Sequence, residues 1–152
     1  MILVAILNDC VTLVLGTDRT TITHQPESWN LAKLSKIAGI LAIGWSAVGY
    51  GWLTWLQQFG LTTDQISTGL YVYLIFSAML TILMTRTKKP FWANLPSRAV
   101  SIAIGGNCAL TLVLALTGWG IAALSPALVG LAIVITVLTG IVLTVIRFAA
   151  RI

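Results

Sequence analysis

Four apolar runs dictate what this chain can fold into. Ile37–Phe59, Ile66–Thr85, Ala99–Gly118 and Leu124–Phe148 are each 20 to 25 residues long, and the one charge they hold is Arg147, beside the end of the last. A helix of about 20 apolar residues is what the ~30 Å hydrocarbon core of a bilayer requires. Lipid offers no partners to backbone N–H and C=O groups, so only helices and closed barrels cross it, and these runs lack the period-2 alternation of a barrel strand. Composition agrees: 9% of residues are charged and 58% hydrophobic, against about a quarter charged in soluble domains.

A fifth run, Met1–Gly16, is interrupted by Asn8, Asp9 and Thr12. At 1.5 Å per residue it reaches about 24 Å, short of a full crossing. It has no basic leader or small-residue cleavage site, so it does not read as a signal peptide. The expected fold is therefore all-α: a polytopic transmembrane helix bundle with one short N-terminal half-span and four full spans, forming a single transmembrane domain over residues 1–152. The longest polar stretch, Thr17–Lys36, has 20 residues, too few for even one βαβ unit of ~30. A nucleotide-binding domain is excluded.

The charges set the expected orientation. Arg19, Lys33 and Lys36 precede the second run, Arg86, Lys88, Lys89 and Arg98 lie between the third and fourth, and Arg147 and Arg151 close the chain. With five crossings all nine cations fall on one side, while the opposite loops hold only Asp64. The positive-inside rule makes that cationic side, and the C-terminus, cytoplasmic. Cations spread over three loops make no stripe for nucleic acid. Trp52, Trp55, Tyr71, Tyr73 and Trp119 sit toward the outer ends of the runs and are expected to form an interfacial belt, with Trp29 and Trp92 at the inner interface. Ser28 and Ser97 are candidate N-caps; the helix opened by Ser28 is expected to lie along the interface and turn into the span at Ile37. Cys10 and Cys108 lie in apolar runs without metal or redox spacing and are expected to be buried free thiols.

Asp9 is the residue that calls for chemistry. A carboxylate within hydrocarbon costs about 2.5–3.5 kcal/mol on insertion scales, and such groups line ion paths or meet a partner. Lipid favours the neutral acid over the carboxylate, so Asp9 could load and release a proton. None of the other runs offers it a cation at depth. Asn8 adjoins it but occupies a different helix face. Asn107 is the other strongly polar group at membrane depth, where an interhelical hydrogen bond is the expected role. His24 stands alone in a loop. No catalytic set, metal cluster or phosphate-cradling loop is present, so no cofactor is expected on this chain.

The sequence Ala5-Ile6-Leu7-Asn8-Asp9, the polar Thr17-Asp18-Arg19, and then Pro26-Glu27-Ser28-Trp29-Asn30-Leu31 resemble the plasma-membrane proton-pumping P-type ATPases, at the end of their sixth membrane helix and the link to the seventh. Thr85-Arg86, Phe91-Trp92, Pro96-Ser97 and Arg147-Phe148 extend the resemblance through the tenth helix. It implies that Asp9 matches the family's proton carrier, with Asn8 beside it, and that the remaining helices support the transport helices. It also implies that ATP and Mg are handled by a part of the plasma-membrane pump that is either missing from this sequence or carried on a separate chain. The family carries Gly directly after its Asp, where this chain has Cys10. Two other readings use the same residues: a stand-alone small membrane protein that docks on or regulates another membrane complex, and a small channel or carrier.

Overall fold

A computed structural model describes residues 2–16, 31–85 and 96–149. These form five α-helices: α1 (Ile2–Leu15), α2 (Leu31–Gln57), α3 (Thr63–Thr85), α4 (Arg98–Thr117) and α5 (Pro126–Ala149). Four of them, α2 to α5, are long and apolar enough to cross a membrane. The 14 residues of α1 reach only about 21 Å. The anticipated bundle of one short and four full helices is thus what forms.

Local chemistry sets the helix ends. Ser97 caps α4, its hydroxyl accepting from the Val100 N–H, as its position before the run had indicated. At the start of α3, the Thr62 N–H donates to Gln65 Oε1 and the Gln65 N–H donates to Thr62 Oγ1, a reciprocal capping box that satisfies two otherwise orphaned donors. Pro126 opens α5, where its missing N–H costs nothing. Gly118 ends α4 in the left-handed region at φ 72°, its N–H donating to the Leu114 carbonyl. A Cβ there would also stand 3.0 Å from Ala123 Cβ.

The hub is α3, which packs against all four other helices. α1 and α4 lie together on one flank and α2 and α5 on the other; α1 touches neither α2 nor α5 among the described residues. Polar contacts fix the directions. Trp52 Nε1 donates to the Gly69 carbonyl at 3.2 Å and Tyr73 to the Trp45 carbonyl at 2.7 Å, so α2 runs antiparallel to α3. Asn107 faces Met79, and Thr111 faces Tyr71, which makes α4 antiparallel too. Thr68 Oγ1 donates to the Ala122 carbonyl at one end, while Arg147 reaches the Met84 carbonyl at the other, so α5 runs parallel to α3. This places Lys36, Arg98 and Arg147 at one end of the bundle and Asp64 at the opposite end.

Three expectations change. Trp52, Tyr71 and Tyr73 are not belt residues: they are 3%, 7% and 2% exposed and form part of the core around α3. Their polar atoms find partners on neighbouring helices, which removes the need to reach the interface. Trp119 does remain outside, at 79% exposure. Second, α2 is one unbroken helix of 27 residues that passes through Ile37 without a turn, since Leu31 to Ile37 contains no Gly or Pro to interrupt it. Third, Cys10 is exposed and Cys108 half-buried, both as free thiols; α1 presents Cys10 to the outside because its partners cover only one side. Ser28, Trp29, Trp92, His24 and the cations Arg19, Arg86, Lys88, Lys89 and Arg151 lie outside the described residues, as does the loop motif from Pro26 to Asn30.

Candidate functional site

The register of α1 decides how its polar residues are presented. Val11 is 1% exposed and belongs to the main core, which draws its side of α1 against α3 and α4. Asp9 lies two residues earlier, about 200° around the helix, and is accordingly exposed. Its carboxylate has neither a hydrogen bond nor an ion pair among the described residues. Asn8, one step of about 100° away, is half-buried and faces α3 instead.

Between α1 and α3 runs an open cleft of about 490 Å³. From α1 it is lined by Ala5, Asn8 and Thr12, and from α3 by Leu74, Ser77, Ala78, Thr81 and Ile82, so that most of its surface is apolar. Asp9 follows Ala5 by four positions and precedes Thr12 by three. Residues at those spacings are neighbours on a helix surface, so Asp9 stands on the rim of this cleft, with Asn8 inside it. Asn107 is elsewhere. It is 6% exposed in the seam between α4 and α3, where its Nδ2 donates to Met79 Sδ at 3.4 Å and its Oδ1 has no partner. The structure therefore brings Asn8 and Asp9 to one cleft and its edge, and Asn107 is not part of its lining.

Ser77 and Thr81 carry no expectation from the sequence, and Thr12 figures there only as a break in an apolar run. Their one signal there is spacing: Asn8 and Thr12 are four apart, as are Ser77 and Thr81, which puts two polar groups on one face of each apolar helix. Hydroxyls are easily overlooked in such runs, since each can bond the carbonyl of its own preceding turn.

The chain is 30% identical to the Plasma membrane ATPase of Kluyveromyces lactis over 129 residues, and 30% identical to Plasma membrane ATPase 1 of Schizosaccharomyces pombe over 135. Each match takes in 78% of this chain. The chain spans 14% of the length of these curated relatives. No family model matches it. The resemblance read from the residues therefore has a counterpart along most of the chain.

Proposed function

We propose, with similarity to plasma membrane ATPases as the premise, that this chain is the C-terminal membrane part of a proton-exporting P-type ATPase. It supplies Asp9 as the proton-carrying group and α2 to α5 as the supporting helices. It lies in the plasma membrane with the end that bears Lys36, Arg98 and Arg147 on the cytoplasmic side, as the positive-inside rule directs. ATP hydrolysis, with its Mg, belongs to the remaining portion of the pump, which is either missing from this sequence or carried on a separate chain.

The observation that carries this reading is Asp9 itself. An ionisable group on an apolar helix is costly in lipid and is retained where it serves transport. No described residue neutralises it, and α1 leaves its flank uncovered for transport helices supplied by the other portion.

The test begins with affinity capture from native membranes in mild detergent, followed by intact mass of whatever accompanies the chain. A larger companion that carries the ATPase domains is expected; a clean 16.3 kDa species would leave the stand-alone reading. In the reconstituted pair, Asp9→Asn should abolish ATP-driven acidification. Undiminished pumping by Asp9→Asn would remove Asp9 from the role of carrier.

A further inference from the structure

Helix α1 is seated in the bundle through little of its surface. Among its described side chains Val11 alone is buried. It is also the one described residue that α1 contributes to the main core, which holds Ile75 and Met79 of α3 and Ala115 of α4. The opposite face is bare. Ile6 is 54% exposed and Leu13 79%. Asp9, three positions after the one and four before the other, shares their stripe. At about 100° per residue, Asp9 and Val11 stand on nearly opposite sides of the helix.

Two local features make Val11 a stiff connection. A β-branched side chain keeps essentially one χ1 rotamer in a helix, so Val11 cannot swing within its seat to follow a rolling backbone. The Thr12 hydroxyl donates to the Asn8 carbonyl at 2.8 Å, which adds a side-chain bond across the turn that contains Asp9, Cys10 and Val11. The seat of Val11 and the direction of Asp9 are therefore linked, and a roll of α1 that moves one moves the other through the same angle. A roll of about 100° would carry Asp9 to the azimuth at which Asn8 lines the cleft.

We propose that Val11 is the positioning residue for Asp9: its seat in the core fixes the roll of α1, and so holds the carboxylate toward the uncovered flank and out of the α1–α3 cleft. That Asp9 carries protons rests on the reading given above; that Val11 sets its direction does not.

Direction and transport are tested separately. For direction, the full chain is expressed in its native membranes with Cys10→Ala and Cys108→Ala. Ala78→Cys is placed on the α3 wall of the cleft, with either Asn8→Cys or Asp9→Cys on α1. A short bifunctional methanethiosulfonate should join 8 to 78 several-fold faster than 9 to 78. Val11→Ala, which leaves nothing beyond Cβ to seat, should abolish that preference. Val11→Thr, of the same branched shape and with a hydroxyl that can bond its own preceding turn, should keep it. A preference undiminished by Val11→Ala would overturn the proposal. Should Val11→Ala fail to fold, Val11→Leu, which keeps apolar volume without the β-branch, should narrow the preference, and an unchanged one would overturn the proposal equally.

For transport, Val11→Ala in the reconstituted pair should displace the pH midpoint of ATP-driven acidification, because its surroundings set how readily a carboxyl group ionises. Val11→Thr should leave that midpoint in place. A rate lowered by the same factor at every pH would make Val11 a packing residue and overturn its part in transport. Unimpaired pumping by Asp9→Asn would overturn the carrier reading instead, and the cross-linking result would still decide whether Val11 sets the roll of α1.

Discussion

The Tyr73 hydroxyl donates to the Trp45 carbonyl at 2.7 Å, tying a ring of α3 to the backbone of α2. The two rings also meet edge to face, with centroids 6.2 Å apart. One turn further along α2, a Cβ on Gly49 would stand 2.9 Å from the edge of that same Tyr73 ring. The close approach of the two helices and the hydrogen bond are thus one arrangement, since a ring held at its hydroxyl cannot swing aside.

Gly49→Ala should therefore destabilise the bundle by about 1–3 kcal/mol, the usual cost of overpacking. Thermal unfolding in detergent measures it. Gly39→Ala is the contrast: nothing stands within 4 Å of a Cβ at that site, so the change should be neutral or stabilising by up to about 1 kcal/mol. In a Tyr73→Phe background the ring is released, and Gly49→Ala should cost less than it does alone. Additive losses in that double-mutant cycle would refute the tether.

Gly118→Ala meets two obstacles at once. Its φ of 72° suits glycine, and its Cβ would press on Ala123 at 3.0 Å from Cβ and 3.2 Å from the backbone N. Backbone strain alone costs about 1–2 kcal/mol, so a larger loss than for Gly120→Ala is expected, where φ is 78° but no atom stands within 4 Å. Equal melting temperatures for the two variants would rule out the steric part.

Asn107 has the opposite expectation. Its Oδ1 is buried without a partner, and its amide meets only a thioether. An unmet buried acceptor costs about 1–3 kcal/mol, so Asn107→Leu should hold or raise stability. A fall of more than about 1 kcal/mol would show that the Met79 contact outweighs that cost.

Asp9→Leu should leave the unfolding of the isolated chain within about 0.5 kcal/mol of the parent, the range of substitutions remote from packing. Asp9 is exposed and touches no described polar partner. A large change in either direction would make it a structural residue.

What the sequence discloses follows from how each signal is generated. The spans are legible because lipid imposes length and apolarity on every residue in them, and the Ser97 cap because its hydroxyl stands directly before a run. The places of Trp52, Tyr71 and Tyr73 are not: an aromatic with a polar tip reads alike whether the tip meets water or a carbonyl on the next helix. Asp9 is conspicuous through its cost. Thr12, Ser77 and Thr81 are quiet, because each hydroxyl is satisfied at home, and only the meeting of two helix faces turns them into a common surface. Gly44, Gly49 and Gly140 prove to be close-approach positions, against Leu143, Tyr73 and Leu80 respectively, while Gly39 and Gly105 face open space. Which glycines matter depends on partners that spacing alone does not name.

The central place of α3 also dictates a schedule. α1 and α2 are made before α3, yet among the described residues they do not touch one another, so neither shelters the other. Of the strongly apolar window of α2 only 11% is buried even in the finished bundle, against 44% for α3; α2 can wait in lipid unaided. α1, short and carrying Asp9, cannot wait so cheaply. Within this chain the first helix able to cover it is α3, so the third helix is the earliest point at which the chain's own packing can hold the first in the bilayer.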